Sequence, residues 1–322
     1  LSGIETLQRA GAPETDITSL GFDSRHATAG QLFFAVKGSA SDGHDYMAQA
    51  TANGAAAVVC ERLPEEPFPG VAYIVVADSS AALGTIASRF YGEPSHKLKL
   101  VGVTGTNGKT TTATLLYDLF RRLGYKAGLI STVVYRIDNE TLPSTHTTPD
   151  AIRLNAMLAE MAERGCDYCF MEVSSHSIVQ ERIAGLTFAG GIFTNITHEH
   201  LDYHGTFAEY IRAKKRFFDR LLKGAFALVN ADDRNGAVMV QNSAATTYTY
   251  ALRSFSDFRC RILENTPEGM LLELDGQQVW TRFLGRFNAY NLAAVYGAAR
   301  LLGADCDETL QAPVSYTHLR AH

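Results

Sequence analysis

The feature that most constrains the fold of this 322-residue chain is an apolar strand that runs through a glycine-rich turn into a helix. Leu100–Val103 is apolar, and Thr104–Thr111 reads T-G-T-N-G-K-T-T. A glycine-rich turn at a helix N-terminus offers backbone N–H groups and the helix dipole to an anion. Lys109 would reach the β- and γ-phosphates, and Thr110 would place its hydroxyl on Mg²⁺. The pattern therefore predicts nucleotide binding.

The turn departs from the strict phosphate-loop spacing. In G-x-x-x-x-G-K-[ST] the first glycine would stand at position 103, which is Val103 here. The turn is therefore a shortened variant, and the alternative is a Gly- and Thr-rich turn with a solvated lysine. The strand before it and the helix after it favour the nucleotide-binding interpretation.

The rest of the chain alternates between strand-like and helix-like segments, which is typical of a parallel sheet with helices on both faces. Beyond residue 98 the predicted strands are Lys99–Thr104, Lys126–Ser131, Tyr168–Val173, Gly191–Asn195 and Ala225–Asn230, and the predicted helices are Thr110–Leu123, Ala151–Arg164, Phe207–Leu222 and Asn288–Leu302. Two alternating runs, Arg259–Leu263 and Met270–Leu274, lead to Val279–Phe283 and predict an antiparallel addition. We therefore predict an α/β fold with a mostly parallel sheet.

Length and local pattern predict two domains, since domains average about 150 residues. Residues 1–97 carry short elements, with strands at Gln31–Val36, Ala55–Cys60 and Val71–Val76 and helices near Tyr46–Asn53 and Ala81–Tyr91. Gly92–Lys97 is the candidate linker, because Pro94 stops helix propagation. We predict a small α/β domain over 1–97 and a central domain over 98–311.

Composition excludes several classes of protein. With 29 Lys and Arg against 34 Asp and Glu the net charge is −5, so nothing favours nucleic acid or an anionic membrane as partner. No apolar run approaches the roughly 18 residues that cross a bilayer. Five cysteines are too few for a disulfide framework, which predicts a reducing cytoplasm. Cys166 and Cys169 form a lone C-x-x-C whose odd spacing on a strand argues against a zinc site.

A carboxylate and a histidine-rich segment follow two of the predicted strands. Glu172 ends the strand Tyr168–Val173, where ligands collect in parallel sheets, and is a candidate Mg²⁺ ligand; the alternative is a solvent-facing glutamate. After the next strand, His198–His204 holds three histidines and two acids. Its spacing breaks the H-x-H-x-D-H metal pattern, because the third histidine comes one residue late, so hydrogen-bonded loop histidines are the alternative.

The helix Phe207–Leu222 carries a basic cluster. Tyr210 and Lys214 lie four residues apart and share one helix face, whereas Lys215 is turned about 100° away. We predict a solvated position for Lys215.

Together these motifs resemble the ATP-dependent Mur ligases, and within that family the MurE group. The motifs that carry the resemblance are T-G-T-N-G-K-T-T at 104–111, E-V-S-S-H at 172–176 with Gln180 and Arg182, F-T-N to H-L-D-Y-H-G over 193–205, Y-x-x-x-K at 210–214 and F-N-x-x-N at 287–291. D-S-R at 23–25, G-Q-L-F-F-A-V-K-G at 30–38 and D-G-H at 42–44 are shared with the MurF group, whereas H-T-T-P at 146–149 favours MurE. Glu199 stands where the family usually has Asp. The resemblance runs from about residue 20 to about residue 303.

The resemblance implies ATP-driven amide formation in peptidoglycan precursor synthesis. The terminal carboxylate of UDP-MurNAc-L-Ala-D-Glu would attack the γ-phosphate of ATP to give an acyl phosphate and ADP. The amine of meso-diaminopimelate or L-lysine would then displace phosphate. Such a polyanionic site depends on positioning and charge neutralisation.

The resemblance also assigns roles to residues. Lys109, Lys214 and His200 would be catalytic. ATP would be bound by Gly105, Thr106, Asn107, Gly108, Lys109, Thr110, Thr111, Asn288 and Asn291. Two Mg²⁺ ions would be held by Thr110, Glu172, His200 and Lys214, the last as the carbamate N6-carboxylysine. The UDP end of the substrate would meet Ser24, Arg25 and His44, and the muramoyl-peptide end would meet His146, Thr147, Thr148, Ser174, Gln180 and Arg182.

The family has a C-terminal Rossmann-like domain that selects the amino acid, and the sequence contains neither a G-R-x-E segment nor a D-Y-A-H motif of that region. We expect a ligase cut short, a non-native tail over 312–322, a monomer, and little or no ligation by this chain alone. The alternatives are another Mur-type ligase such as a MurF-like one, a folylpolyglutamate synthase, a P-loop NTPase switch module, or a metallohydrolase.

Overall fold

The computed structural model of the protein describes residues 4–12, 15–38, 41–144, 146–197 and 205–311. These residues form two compact units. The first comprises Leu1–Pro94, Asp150–Ala156 and Gln180–Leu186, and the second comprises Ser95–Pro149, Met157–Val179 and Thr187–His322. The first unit thus includes two segments that lie beyond residue 97 in the sequence. The domain boundary at residues 97 and 98 stays a prediction.

The first unit is a five-stranded sheet covered by helices. Its elements are β1 (Gln8–Gly11), β2 (Ser19–Gly21), β3 (Gln31–Phe34), α1 (Met47–Ala52), β4 (Ala55–Cys60), β5 (Ala72–Val75) and α2 (Ser79–Phe90), with 3₁₀ turns at Ser24–His26 and Gly43–Tyr46. The strand order is β1-β5-β4-β3-β2, and only β1 is antiparallel to its neighbour. Leu32 and Phe34 belong to the core under α2, whereas Phe33 belongs to the core with α1. Burial on both faces explains the continuous apolar run of β3.

The second unit is built on an eleven-stranded sheet. Its strands are β6 (Lys99–Thr104), β7 (Ala127–Ile130), β8 (Val134–Ile137), β9 (Glu140–Pro143), β10 (Tyr168–Glu172), β11 (Gly190–Phe193), β12 (Phe226–Asn230), β13 (Thr246–Ala251), β14 (Phe258–Thr266), β15 (Gly269–Leu274) and β16 (Gln277–Thr281). Its helices are α3 (Lys109–Arg122), α5 (Ser175–Val179), α6 (Phe207–Asp219), α7 (Gly236–Val240), α8 (Arg286–Leu301) and α9 (Cys306–Gln311), and α4 (Ala151–Glu163) begins in the segment assigned to the first unit.

Strand β6 lies inside this sheet, in the order β16-β15-β14-β13-β12-β11-β6-β10-β7-β8-β9. Strands β7, β10, β6, β11, β12, β13 and β14 are parallel. The two edges are antiparallel, through β8 and β9 on one side and β15 and β16 on the other. Parallel strands point their carboxyl ends to one edge, so the segments after β6, β10, β11 and β12 converge there.

The predicted α/β fold with a mostly parallel sheet and an antiparallel addition is confirmed. Each predicted strand and helix overlaps an observed one. The sequence interpretation missed β1, β2, β8, β9, β13, α5, α7 and α9. These elements are short, and β9 for example exposes most of its residues, so no strong apolar period marks them. Among the described residues no helix has the length and apolar character needed to span a membrane.

All five cysteines are free thiols, and Cys166, Cys169 and three others make no disulfide. Cys166 lies just before β10 and not on it, which corrects the placement of both cysteines on one strand. Within the described ranges no group of three or more His, Cys, Asp or Glu side chains could hold a metal ion.

Candidate active site

The turn after β6 has glycine at two positions where a Cβ would meet a neighbouring side chain. Gly105 and Gly108 have φ of +151° and +85°. A Cβ on Gly105 would lie 1.9 Å from Thr194 Oγ1, and one on Gly108 would lie 2.4 Å from Asn291 Oδ1. The backbone of the turn therefore lies directly against the segment after β11 and against α8. Helix α3 begins at Lys109, so its N-terminus faces the turn as predicted.

The segment after β11 holds the turn in place. Thr106 N–H donates to Asn195 O at 2.8 Å, and Asn107 N–H donates to Asn195 Oδ1 at 3.0 Å. In return the Asn107 carbonyl accepts from Thr194 Oγ1 at 2.7 Å and from Asn195 Nδ2 at 3.0 Å. The sequence interpretation gave Thr194 and Asn195 no role, although both lie at a strand end.

Two lysines meet beneath the turn. Lys109 Nζ donates to the carbonyl oxygens of Gly105 at 3.0 Å and Thr106 at 2.8 Å. Lys214 Nζ, from α6, donates to the same Gly105 oxygen at 2.8 Å. Lys214 is only 1% exposed, and burial together with the charge of Lys109 lowers its pKa well below the usual value. The structure therefore places a buried amine with a depressed pKa beside the phosphate loop.

Tyr210 shares the buried face of α6 with Lys214, as the four-residue spacing predicted. Its ring centroid lies 4.7 Å from Lys214 Nζ, and its hydroxyl lies 3.3 Å from Thr106 Oγ1. Lys215 instead makes an ion pair with Asp219 at 2.5 Å, and its side chain is only 13% exposed, so the predicted solvated position was wrong. The face of the helix that carries Lys214 is thus the one that meets the turn.

Glu172 lies at the end of β10 and is 1% exposed. Its Oε1 accepts from Thr110 Oγ1 at 2.8 Å and from Thr132 N–H at 2.7 Å, and its Oε2 accepts from Thr132 Oγ1 at 3.2 Å. The hydroxyl of Thr110 and the carboxylate of Glu172 are hard oxygen donors of the kind that Mg²⁺ prefers, and they touch at the helix N-terminus where phosphate would lie. These residues fit a magnesium site. His200, the third predicted ligand, lies outside the described residues.

Four of the predicted peptide-end residues lie in the second unit, and one of them, Thr148, bonds directly to Glu172. Thr148 is 1% exposed, and its hydroxyl donates to Glu172 O at 2.8 Å and accepts from Ser174 N–H at 3.3 Å. Thr147 Oγ1 lies 3.1 Å from Thr132 Oγ1. The main chain of His146 is tied to Tyr135, whose hydroxyl donates to the His146 carbonyl at 2.6 Å. Their role in substrate binding stays a prediction.

The remaining predicted substrate residues belong to the first unit. Arg182 donates through Nε and Nη2 to Gln180 Oε1 at 2.9 and 2.6 Å. Ser24 Oγ donates to Gln49 Oε1 at 2.7 Å, and Arg25 pairs with Asp23 at 2.7 Å. His44 is 5% exposed, and both of its ring nitrogens are engaged, with Asp42 at 2.6 Å and the N–H of Glu61 at 2.8 Å. Contact of Gln180 and Arg182 with the muramoyl-peptide end, and of Ser24, Arg25 and His44 with the UDP end, remains a prediction.

A cavity of about 1030 Å³ opens beside the phosphate loop within the second unit. It is lined by Asn107, Gly108, Thr110, Thr111, Thr114, Thr132, Val133, Val134, Arg136, Asn195, Asn230, Asp232, Asp233, Phe283, Phe287, Asn288, Tyr290 and Asn291. The predicted ATP residues Asn288 and Asn291 thus share one cavity with the turn. Aromatic and aliphatic walls with a few convergent polar groups are typical of a nucleotide-sized ligand site.

The structure adds two carboxylates that sequence reasoning missed. Asp232 accepts from the N–H groups of Leu252, Arg253 and Ser254 at 2.8, 2.9 and 2.8 Å, and from Tyr290 Oη at 2.8 Å. Burial by itself would raise the pKa of Asp232. The hydrogen bonds from the main-chain N–H groups, Tyr290 and Ser254 Oγ lower it by more, so the pKa of Asp232 lies below the usual range. Asp233 accepts from Ile196 N–H at 2.9 Å. Both follow the end of β12, so the strand-end rule that found Glu172 would also have found them.

The fold and this arrangement define a class of protein. Residues 103–299 match the Mur ligase middle domain, and residues 16–91 match the Mur ligase family catalytic domain. The chain therefore belongs to the Mur ligase family.

Particular members are similar to most of the chain. The UDP-N-acetylmuramoyl-L-alanyl-D-glutamate–2,6-diaminopimelate ligase of Cytophaga hutchinsonii is 56% identical over 308 residues, which cover 95% of this chain and 63% of that protein. A solved structure of a ligase with that name superposes with a TM-score of 0.84 at 27% identity, over 95% of this chain and 64% of the other. MurF of Acinetobacter baumannii has the same fold at a TM-score of 0.65 and 24% identity, over 96% and 65% of the two chains. The chain spans about 63% of the length of the first of these relatives.

Proposed function

We propose that this chain supplies the nucleotide-binding and UDP-sugar-binding parts of an ATP-dependent ligase that joins 2,6-diaminopimelate to UDP-MurNAc-L-Ala-D-Glu. The observation that carries the proposal is the cluster at the carboxyl edge of the sheet, where Lys109, Lys214 and the Thr110–Glu172 pair surround one turn. The named relatives support the choice of substrates, because they share up to 56% of their residues with this chain. The MurF-like alternative has the weaker support of fold alone.

The reaction requires two displacements. A carboxylate oxygen of the substrate bonds to the γ-phosphorus of ATP while the bond to the β-phosphate oxygen breaks, which yields an acyl phosphate and ADP. The amine of diaminopimelate then bonds to the acyl carbon, phosphate leaves, and the amine loses a proton to water. Charge on the phosphates grows and moves in both steps, so fixed cations stabilise the transition states.

The residues of the turn are arranged for this task. Lys109 is held by two carbonyl oxygens at the N-terminus of α3, where its amine would neutralise β- and γ-phosphate charge. Thr110 and Glu172 would hold Mg²⁺, which as a bound ion would polarise the phosphoryl oxygens. The aromatic and asparagine wall formed by Phe283, Phe287, Asn288 and Asn291 would receive the nucleoside.

Lys214 is proposed to carry a carbamate. Its Nζ would bond to the carbon of CO₂ and release a proton, so the reaction requires the neutral amine. Burial and the neighbouring charge of Lys109 both favour that neutral form. The product is an anion beside Lys109 that would serve as a further metal ligand in addition to Thr110 and Glu172. Mass spectrometry of the intact protein, prepared with and without bicarbonate, tests whether one CO₂ is added at Lys214.

Dependence on the acceptors separates this function from the alternatives. In the full-length ligase we expect phosphate release only when UDP-MurNAc-L-Ala-D-Glu and diaminopimelate are both present. Lys109→Ala and Glu172→Ala should abolish it, whereas Lys215→Met is a control at an ion-paired lysine of the same region. Turnover that ignores both acceptors would instead support a P-loop switch module, and tightly bound zinc would support a metallohydrolase.

The chain itself should bind nucleotide but form little or no amide. We further propose a monomer in the cytoplasm, and the free thiol state of all five cysteines agrees with a reducing compartment. Efficient amide formation by the isolated 322-residue chain would contradict the first expectation.

A further inference from the structure

Thr132 belongs to none of the sequence motifs, yet it makes two hydrogen bonds to the carboxylate of Glu172. It follows β7, is exposed, and lines the cavity beside the phosphate loop. Its N–H donates to Oε1 at 2.7 Å, and its hydroxyl lies 3.2 Å from Oε2. The same hydroxyl lies 3.1 Å from Thr147 Oγ1.

These bonds set the orientation of a buried carboxylate. Oε1 is shared by the hydroxyl of Thr110 and the N–H of Thr132, whereas the described donor to Oε2 is the hydroxyl of Thr132. Donors on both oxygens prevent rotation about the last side-chain bond, which is otherwise broad for a glutamate. Such partners orient a metal ligand without touching the metal. Their removal typically lowers metal affinity by about 10–100-fold.

The hydroxyl of Thr132 is the donor in both of its contacts, with Glu172 Oε2 and with Thr147 Oγ1. It has a single proton, and a carboxylate that binds a cation can only accept, so the bond to Glu172 depends on this proton.

We propose that Thr132 is a positioning residue that aims the Glu172 carboxylate at Thr110 and at Mg²⁺. This inference rests on the proposed function, because Mg²⁺ is the ion that Thr110 and Glu172 would hold. Thr132 acts through Glu172 and not on the reacting atoms.

The test separates the hydroxyl of Thr132 from its N–H. Thr132→Val keeps the N–H and the shape but loses the hydroxyl, whereas Thr132→Ser keeps both donors. Thr249→Val is a matched control, since Thr249 also donates its N–H and its hydroxyl to one carboxylate, that of Asp257, at 2.8 and 2.7 Å. ADP affinity is measured by calorimetry on the 322-residue chain, with and without Mg²⁺, and unfolding midpoints confirm that each variant is folded.

We expect Thr132→Val to lower the Mg²⁺-dependent gain in ADP affinity by about 10-fold, because an orienting partner is lost. Thr132→Ser should stay within about 3-fold of the parent, on the same scale of outer-partner effects. Thr249→Val and the Mg²⁺-free affinities should not change. A normal Mg²⁺ gain in Thr132→Val would overturn the positioning role while leaving the proposed function intact. A parent chain whose ADP affinity ignores Mg²⁺ would overturn the metal site and this inference with it.

Discussion

Lys109 and Lys214 donate to the same acceptor, the carbonyl oxygen of Gly105, at 3.0 and 2.8 Å. Two ammonium groups bound to one oxygen atom would repel each other. The burial of Lys214 increases the free-energy cost of its charged form. The pKa of Lys214 is accordingly well below its usual value, first because of burial and second because of the charge on Lys109. This relationship favours the neutral form of the Lys214 amine.

Lys214 should make folding stability rise with pH on the alkaline side of neutrality. Between its folded and unfolded pKa values the unfolded chain keeps the proton and the folded chain does not, so the free energy of unfolding increases with pH. The slope for one proton is at most about 1.4 kcal/mol per pH unit. Urea denaturation of the parent and of Lys214→Met in CO₂-free buffer, at several pH values above neutral, measures it.

The unfolding free energy of the parent should therefore rise with pH relative to that of Lys214→Met. Lys215→Met is the control, because that amine lies on the same helix but pairs with Asp219 outside the cluster. Parallel pH curves for the parent and Lys214→Met would show that Lys214 titrates alike in the folded and unfolded chains.

Gly108→Ala and Gly124→Ala should differ in nucleotide binding. Both glycines have positive φ, +85° and +89°, so alanine at either position costs about 1–2 kcal/mol of backbone strain. At Gly124 no heavy atom lies within 4 Å of the new Cβ, whereas at Gly108 it meets Asn291 Oδ1 at 2.4 Å. Gly108→Ala must displace Asn291 from the cavity, so we expect at least about a 10-fold loss of ADP affinity, worth about 1.4 kcal/mol. Calorimetry should find the affinity unchanged in Gly124→Ala.

Asp232→Ala should destabilise the second unit by roughly 3 kcal/mol. The carboxylate accepts from three consecutive main-chain N–H groups and from Tyr290, and its removal leaves those donors without an acceptor. Asp232→Asn keeps one acceptor oxygen and should lose roughly half as much. Asp78→Ala provides the comparison, because it removes a single N-cap bond to Ala81 N–H and should cost about 1 kcal/mol. Equal losses of unfolding free energy for Asp232→Ala and Asp78→Ala in urea denaturation would contradict the stabilising role of the hydrogen bonds to Asp232.

Asp42 should stabilise the first unit in a pH-dependent manner. The N–H and the ring of His44 together with Arg62 hold the pKa of Asp42 at about 2, against 3.8 for an unperturbed carboxyl. Because the folded pKa is depressed, the stabilisation is complete above pH 3.8 and is lost as the pH falls towards about 2. Asp42→Asn should be less stable than the parent at neutral pH, and the gap should close in that acid range. A gap that stays constant from neutral to acid pH would contradict this assignment.

Local patterns predicted a large part of the site. The glycine spacing, Lys109 and Thr110 follow from what a phosphate turn requires, and Glu172 follows from the rule that ligands collect at strand ends. The bonds of His44 did not follow from its motif, because its ring nitrogens meet Asp42 and the N–H of Glu61 through the fold of its own unit.

The fold alone decided which distant polar groups meet. Lys214 reaches Gly105 across 109 residues of sequence, and Thr132 reaches Glu172 across 40. Asp232 similarly joins α8 to the loop after β13. Strand order and register set such contacts, and no local period encodes them. Burial of Lys214 is also a tertiary property, since a lysine in a basic helix cluster is solvated until another element covers it. Adjacent residues in the sequence determine the chemistry of the turn. The depressed pKa of Lys214 and the orientation of Glu172 instead depend on contacts between strands and helices that are distant in the sequence.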